Sequence, residues 1–423
     1  MMNYEKARES LQNSVVGKRL ASLYGDIGRA KGRYGELIHQ HQQRFGSAAP
    51  LFLLSAPGRA EIIGNHTDHN AGLVLAAAIQ LDIAAAVSPR DDLLVNLVSH
   101  GYAPLRMTLD RLAPHQGEAG TTSALLRGVA SGMNDRGLKI GGFDAVMNSD
   151  VLSGSGLSSS AAFEMLACAA FDALYNGFSL EPLTRAQIGQ NAENDFFMKP
   201  SGLMDQAASS FGGLAVIDFG NGKTKVETLR FSFRNAGYVM VVVNTQSSHD
   251  DLTAEYSAIP LEMRAAAKAA GGVLLRDIPF RKFLNVLPRI RLEAGDRAVL
   301  RALHFYRENQ RVLDAAEGLK ADDISRFLKA VNGSGISSWT LLQNISHEEQ
   351  HQPMALALAL AGTILDDSGA CRVHGGGFAG TTLNFVPLDM LSAFSEGMEQ
   401  VFGPGCCQAL DVRNEGPVML VSP

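Results

Sequence analysis

Apolar and polar positions along this chain follow two periods. Short apolar runs rich in Leu, Val, Ile and Ala predict β-strands, whereas apolar residues at i, i+3, i+4 and i+7 predict helices. The predicted strands are 51–54, 93–98, 142–147, 214–219, 225–231, 238–245 and 381–386, and the apolar stretch 73–87 is long enough for two strands. The predicted helices are 123–137, 161–175, 184–197, 252–270, 296–318, 324–332, 354–368 and 391–402. Strands and helices mix without strict β–α–β alternation, which predicts an α+β fold rather than a doubly wound sheet.

The chain has 423 residues, which is too long for one ordinary core and favours two domains. Strand patterns begin again after the paired glycines at 212–213, so we place the domains at 1–212 and 213–423. Residues 1–48 are charged with sparse apolar positions. We expect them to form helices that pack on the outside of the first domain.

Composition and charge narrow the class of protein. Hydrophobic residues make up 46% of the chain and charged residues 19%, as in globular proteins with a large core. The net charge of −6 gives no electrostatic reason to expect nucleic acid or an anionic membrane as a partner. The N-terminus has no apolar core of a signal peptide, and the longest apolar stretch, 354–365, is too short to span a bilayer. Four cysteines without zinc-like spacing favour a reduced cytoplasm.

The segment APGRAEIIGNHTDHNAG at 56–72 carries many polar groups directly after the apolar run 51–54. Folding gains little from such groups beside a buried strand, so a polar ligand is the expected reason for them. Arg59 is suited to neutralise developing charge or to lower the pKa of a nearby carboxylate. His66 and Asp68 are suited to bind vicinal hydroxyl groups. The alternative is a structural Arg–Asp pair with a histidine that caps a turn.

The loop SGSGLSSS at 153–160 runs without a gap into the helix predicted at 161–175. Glycines let the backbone approach an anion closely, and N–H groups at a helix N-terminus bind phosphate. The serine hydroxyls can bind phosphate, and one can ligate Mg²⁺. Loops of this kind are more often flexible connectors with a helix cap, which is the competing interpretation. The sequence contains no Walker-type GxxxxGK[ST] motif, which excludes an ordinary P-loop NTPase.

Two further carboxylates are candidates for catalysis. Glu193 lies on a predicted helix, and Asp205 follows a glycine turn. A carboxylate near a triphosphate serves as a Mg²⁺ ligand, because hard cations bind oxygen. A second carboxylate can take a proton from a substrate hydroxyl during phosphoryl transfer. Taken alone, Glu193 is more often a solvated helix residue and Asp205 a turn residue or helix cap.

Together these segments resemble the GHMP kinase superfamily and, within it, the galactokinase branch. GRAEIIGNHTDHNAG resembles the galactokinase signature, commonly GRxNxIGEHxDYNxG. GSGLSSSAA at 154–162 matches the phosphate loop of the superfamily. GLMDQ at 202–206 matches the galactokinase segment that contains the catalytic aspartate, and GGGFAG at 375–380 resembles the third motif, GGGFGG. His249 and Tyr256 are spaced as in galactokinases. The matches follow the order of the family and cover most of the chain.

The resemblance implies a two-domain α+β GHMP kinase fold with the active site in the cleft between the domains. It also implies transfer of the ATP γ-phosphoryl group to the anomeric hydroxyl of a sugar. By position, Asp205 would be the base or orienting partner of that hydroxyl, and Arg59 its electrostatic companion. Ser160 and Glu193 would hold Mg²⁺. The remaining candidates are Asn65, His66, Asp68, Gly202 and Tyr256 for the sugar, and Gly154, Ser155, Gly156, Leu157, Ser158, Ser159 and Ser160 for ATP.

Two departures from the galactokinase pattern fall where sugar identity is read. The glutamate of the family is Asn65 here, and the tyrosine after its aspartate is His69; Glu61 and Ala379 also replace motif residues. In galactokinases that glutamate accepts a hydrogen bond from the sugar 6-hydroxyl. Charge-assisted bonds contribute about 1.5–3 kcal/mol, so asparagine is expected to weaken galactose binding. It would also remove repulsion against a 6-carboxylate, and galacturonate kinases resemble this chain at both positions.

We therefore expect a galactokinase-like sugar-1-kinase of the cytoplasm, a monomer or weak homo-oligomer, with galactose as the leading substrate. Galacturonate, or another galactose relative altered at C6, is the alternative. A catalytically inactive sugar sensor is an alternative of a different class. Such a regulator is expected to lose the aspartate or to damage the phosphate loop, and this chain keeps Asp205 and the loop serines. Mevalonate and homoserine kinases are disfavoured by the HTDH and MDQ segments.

Overall fold

A computed structural model describes residues 2–46, 48–151, 156–220, 222–247, 253–346, 350–378 and 380–422. Within these ranges the strands are β1 (Phe52–Ile63), β2 (Leu73–Pro89), β3 (Leu94–Ser99), β4 (Leu105–Thr108), β5 (Phe143–Ser149), β6 (Leu214–Asp218), β7 (Lys225–Leu229), β8 (Tyr238–Asn244), β9 (Ala370–His374), β10 (Thr381–Pro387), β11 (Cys407–Leu410) and β12 (Val418–Val421). They form two sheets.

The α-helices of the described residues are α1 (Met2–Gln12), α2 (Ser14–Tyr24), α3 (Ile27–Phe45), α4 (Thr122–Asn134), α5 (Ser159–Tyr175), α6 (Pro182–Asn191), α7 (Met204–Phe211), α8 (Thr253–Ala269), α9 (Phe280–Asn285), α10 (Leu287–Ala294), α11 (Asp296–Lys320), α12 (Ile324–Ser337), α13 (Pro353–Leu365) and α14 (Leu391–Phe402). A π-helical turn, Ala192–Phe196, continues α6. Helices and sheets therefore mix along the chain, and the predicted α+β class is confirmed.

The larger sheet has eight strands in the order β12-β1-β2-β5-β3-β4, with β6 paired to β2 and β7 paired to β6. Its centre is β2, a 17-residue strand that is buried along most of its length. A strand packed on both faces reads as a continuous apolar run, which is why 73–87 shows no alternation. The four-stranded sheet has the order β11-β8-β10-β9. One of its faces packs on α13 and α14, and the other joins the main core.

The first strand is longer than the sequence predicts. The apolar run predicts a strand at 51–54, but β1 continues to Ile63 and is buried from Leu53 onward. Arg59 and Glu61 therefore lie on a buried strand, not in a loop beyond it. A charged side chain does not end a strand when an opposite charge is available inside the fold. Both residues have such partners, which are described below.

The two strands after residue 212 belong to the first sheet. β6 pairs with β2, β7 pairs with β6, and β12 near the C-terminus pairs with β1. Sheet membership therefore changes between β7 and β8 rather than at 212. The division into domains at 1–212 and 213–423 stays a prediction. Across the described ranges, no helix combines the length and apolar character needed to cross a membrane.

The N-terminal residues form helices, as the sequence predicts, and a buried carboxylate fastens them to the sheet. Asp82 on β2 is fully buried. Its Oδ1 accepts from Arg33 of α3 at 2.6 Å, and its Oδ2 accepts from Arg413 at 3.1 Å and from the Tyr24 hydroxyl at 2.6 Å. Burial alone would raise the pKa of Asp82, but the two guanidinium groups and hydrogen bonds hold it below its usual value. This one carboxylate joins both ends of the chain to the sheet.

Replacement of Asp82 by Asn should destabilise the fold by about 3–5 kcal/mol, because it leaves the buried Arg413 guanidinium without its counter-charge and removes one of the two carboxylates paired with Arg33. The loss should be complete above the unfolded Asp pKa of about 3.9 and should shrink as the pH falls through the lower folded pKa. Urea unfolding at several pH values measures it. Asp91→Asn, which removes an exposed carboxylate close to the sheet, is the matched control and should leave the midpoint near wild type. Equal midpoints for the two variants would contradict this account.

Candidate active site

A bidentate ion pair joins β1 to the first turn of α7. Arg59 Nε donates to Asp205 Oδ1 at 2.8 Å, and Nη2 donates to Oδ2 at 2.6 Å. Nη1 donates to the backbone oxygen of Gly156. The Arg59 side chain is 7% exposed and that of Asp205 is 20% exposed. The structural Arg–Asp pair considered from the sequence therefore exists, but its partner is Asp205 and not Asp68.

Residues of the glycine- and serine-rich loop before α5 contact this pair directly. Ser158 Oγ donates to Asp205 Oδ2 at 2.7 Å, and Leu157 O accepts from Arg59 N at 3.2 Å. Ser158 has a φ of +56°, a left-handed conformation that is uncommon for a residue other than glycine. Strained backbone of this kind is concentrated at functional sites. Burial alone would raise the pKa of Asp205, but Arg59 and then Ser158 hold it below its usual value, so Asp205 is a carboxylate at neutral pH.

The second carboxylate, Glu193, lies in the π-helical turn and is almost fully buried. Its Oε1 accepts from Ser160 Oγ and from Lys199 Nζ, each at 3.0 Å. Its Oε2 accepts from Ser201 Oγ at 2.7 Å and from Gln206 Nε2 at 2.8 Å. The structure therefore brings together the two residues predicted to hold Mg²⁺. A serine hydroxyl beside a carboxylate is the hard oxygen donor set that suits this ion, which otherwise keeps water and phosphate oxygens.

A polar cavity of about 200 Å³ lies beside Asp205. Its walls come from the end of β1 and the turn after it, from the loop before α7, and from the glycine segment after β9. Most of the residues predicted to contact sugar line it, and the lining consists of Arg59, Glu61, Asn65, His66, Asp68, His69, Pro200, Ser201, Gly202, Met204, Asp205, Gly375 and Gly376. Gly202 is required here, since a Cβ on it would lie 1.9 Å from Asp68 Oδ2.

Asn65 faces into the protein more than into the cavity. Its Nδ2 donates to Glu61 Oε1 at 3.1 Å and to the Gly375 oxygen at 2.6 Å, and its Oδ1 accepts from Asn344 Nδ2 at 2.6 Å. Glu61 is in turn paired with Arg372 of β9 at 3.1 Å. Both amide N–H groups of Asn65 are therefore used within the protein, and the carboxylate next to it is neutralised by a buried arginine.

His66 is a neutral histidine at the cavity wall. Burial, and then the nearby His69, lowers its pKa to about 3. Its Nε2 carries the proton, because it donates to the backbone oxygen of Gly376 at 2.8 Å. Asp68 accepts from the backbone N–H of His69 at 2.9 Å, and the His69 side chain is 31% exposed. His69, which replaces the tyrosine of the galactokinase pattern, therefore lies at the open side of the cavity.

Tyr256 lies one layer behind the cavity. Its hydroxyl donates to the Gly377 oxygen at 2.7 Å, and a Cβ on Gly376 would lie 2.3 Å from its ring. Burial raises the pKa of Tyr256 to about 12. In this arrangement Tyr256 supports the glycine segment that forms one wall. The predicted residues Gly154, Ser155, His249 and Ala379 lie outside the described residues.

A second cavity, of about 450 Å³ and largely apolar, opens on the other side of Ser160. It lies between the large sheet and the N-terminal ends of α4 and α5. Its lining includes Leu97, Met147, Phe163 and Phe197 together with Ser159 and Ser160. The N-terminus of α5 thus stands between an apolar cavity and a polar one.

Several residues of the site carry no motif that sequence reasoning used. Arg372 is fully buried and donates to the backbone oxygens of Glu61 and Ile62. Its neighbour His374 accepts from the Glu61 N–H at 3.3 Å. Helix α11 contributes His304, whose Nε2 donates to the backbone oxygen of Asn65 at 2.9 Å. For Arg372 and His374, the one sequence signal was their position just before the triple glycine. No sequence signal pointed to Lys199 or His304.

Comparisons with known proteins agree with this geometry. A family model for the galactokinase galactose-binding signature matches residues 39–89, and one for the GHMP kinase N-terminal domain matches 124–213. The galactokinase of Actinobacillus succinogenes is 33% identical over 369 residues, which cover 86% of this chain and 91% of that protein. The galactokinase of Mannheimia succiniciproducens is 32% identical over 79% and 85% of the two chains.

Solved structures agree as well. Lactococcus lactis galactokinase complexed with galactose superposes with a TM-score of 0.78 at 25% identity, over 91% of this chain and 99% of that one. L. major mevalonate kinase with R-mevalonate gives a TM-score of 0.59 at 14% identity, over 85% and 95% of the two chains, and shows the fold alone. From the identity and coverage of its relatives, the chain belongs to the galactokinase family of the GHMP kinase superfamily.

Proposed function

We propose that this protein is a sugar-1-kinase that transfers the γ-phosphoryl group of ATP to the anomeric hydroxyl of galactose. The observation that carries the proposal is the Arg59–Asp205 pair at one end of a sugar-sized polar cavity, next to the serine–glutamate pair at the start of α5. The relatives named galactokinase span most of the chain, which supports the choice of sugar.

Asp205 acts on the sugar hydroxyl. Because Arg59 and Ser158 keep it ionised, its carboxylate is able to accept the hydrogen bond of the anomeric hydroxyl and to orient or take that proton during transfer. Arg59 remains beside the reacting oxygen as a fixed positive charge, since its pKa is raised further by Asp205 against the effect of burial. The pair needs no rearrangement during the reaction, which is what makes preorganised charge effective.

ATP and Mg²⁺ are the cofactors we propose. The backbone and hydroxyls of Gly156–Ser160 would hold the phosphates at the α5 N-terminus, and Gly154 and Ser155 are proposed for the same role from the sequence alone. Ser160 and Glu193 would hold Mg²⁺, which neutralises phosphate charge when it is bound. The apolar cavity beyond Ser160 has the size and lining for a purine base. The free cysteines are consistent with the reduced cytoplasm predicted from the sequence.

The walls of the sugar cavity bear on the choice between galactose and a C6 acid. Glu61 is neutralised by Arg372, and Asn65 is an uncharged amide, so this wall presents no free carboxylate. It presents no free cation either, because Arg372 is fully buried. The arrangement reduces repulsion against galacturonate without adding attraction. Galactose therefore remains the leading substrate and galacturonate the second candidate.

A sugar panel with Mg·ATP tests the ranking and the reaction together. We expect galactose to be phosphorylated with the highest kcat/KM, in line with the relatives named galactokinase. Galacturonate and other C6-altered relatives should follow, because the wall at Asn65 is uncharged and does not repel a 6-carboxylate. ADP formation coupled to loss of free sugar is the measurement. Galactose turnover far below that of galacturonate would reverse the ranking. ADP formation that no sugar stimulates would favour the sensor alternative.

Asp205→Asn should lower kcat by about 10²–10⁴-fold, because the amide can neither take the proton nor balance Arg59. Nucleotide binding should stay near wild type. The measurements are steady-state kinetics and titration with a non-hydrolysable ATP analogue. Asp195→Asn removes an exposed carboxylate from the neighbouring π-helical turn and serves as the control. Substantial residual turnover in Asp205→Asn would remove Asp205 from the mechanism.

Gly202→Ala should lower kcat/KM for the sugar by about 10²-fold, because the new methyl group would push the Asp68 carboxylate away from its position. The KM for ATP should change little. Gly362→Ala on α13 is the matched control, since a Cβ there meets nothing within 4 Å. The two variants are compared by sugar saturation curves and by melting temperature. A Gly202→Ala enzyme with unchanged sugar kinetics would place the sugar elsewhere.

A further inference from the structure

Lys199 stands at the border between the two cavities. Phe197, two residues before it, lines the apolar cavity, and Pro200, directly after it, lines the polar one. Its backbone N–H donates to the backbone oxygen of Glu193 at 3.1 Å, and the following proline restricts its backbone to extended conformations. The base of this side chain is therefore fixed at the place where a phosphoryl group would pass from the nucleotide to the sugar.

The hydrogen-bonding sites of Glu193 are fully occupied in the described structure. A carboxylate offers about four lone-pair sites, two on each oxygen. Ser201 and the buried Gln206 fill those of Oε2, whereas Ser160 and the Lys199 ammonium fill those of Oε1. A metal that binds Glu193 must therefore displace one of these four donors.

Lys199 is the donor that is free to leave. Gln206 is fully buried, where it also donates to Glu164 at 2.9 Å, and Ser201 is tied to Asn194 as well. Ser160 is itself a proposed ligand of the metal. The Lys199 side chain is 59% exposed, and its ammonium sits on a flexible four-carbon stem. Release of Lys199 therefore requires the least change in the surrounding structure.

We propose that Lys199 is the counter-ion of Glu193 in the metal-free enzyme and moves to the ATP phosphates when Mg²⁺ takes Glu193 Oε1. This inference rests on the proposed function. The released ammonium has a new partner at once, because Mg·ATP carries net negative charge. At the border of the two cavities it stabilises the negative charge of the group in transfer. Lys199 thus becomes a further cation of the reaction.

The first test needs no turnover. Lys199→Met should melt at a lower temperature than wild type without Mg²⁺, because Glu193 is left buried without a counter-charge. Rising MgCl₂ should stabilise Lys199→Met more than wild type and at lower concentration, since the competing ammonium is gone. Lys329→Met, which removes an exposed lysine on α12, should respond to Mg²⁺ as wild type does. An identical Mg²⁺ response in all three proteins would overturn the proposal.

The second test measures transfer. Lys199→Met should lower kcat by at least about tenfold with Mg·ATP, while Lys199→Arg, which keeps the charge, should retain more of it. Lys329→Met again sets the reference. A kcat for Lys199→Met equal to that reference would refute the part played in transfer. If wild type phosphorylates no sugar, the proposed function fails, whereas the melting series still decides whether Lys199 and Mg²⁺ compete for Glu193.

Discussion

The ion pair between Arg59 and Asp205 is the contact around which the active-site region is arranged. A buried guanidinium needs acceptors, and Arg59 finds them in Asp205 and the Gly156 oxygen. A buried carboxylate needs donors, and Asp205 finds them in Arg59 and Ser158. These hydrogen bonds connect the loop before α5, the first turn of α7 and strand β1 in one arrangement.

A second buried ion pair, between Glu61 and Arg372, connects β1 to the four-stranded sheet. Side chains two apart on a strand point to the same face, so Arg59 and Glu61 leave β1 in the same direction. Arg59 reaches α7, whereas Glu61 reaches Arg372 of the four-stranded sheet. The polar cavity beside Asp205 lies between these two contacts. One strand thus sets the relative positions of Asp205 and the glycine segment that faces it.

Much of the fold followed from apolar periodicity, because helices such as α11 and α14 lie within two residues of their predicted bounds. The length of β1 could not be predicted in this way, because its charged residues are typical of a loop unless buried partners are known. The sheet membership of β6 and β7 could not be predicted either, because a strand pattern carries no information on which sheet it joins. Motifs located Arg59, Asp205, Ser160 and Glu193. The inward orientation of Asn65 depends on Asn344 and α11, which are distant in sequence and carry no motif.

The buried carboxylate Asp82 has a consequence for how the chain folds as it is made. Its partners Arg33 and Arg413 lie 380 positions apart in the sequence, and β1 is also paired with β12 at the C-terminal end. Arg33 is synthesised before Asp82, whereas Arg413 is synthesised 331 positions after it. Domains usually fold in the order of synthesis. In this protein Arg33 can pair with Asp82 and Asp150 once residue 150 has been made, whereas Asp82 gains its second guanidinium only when Arg413 follows.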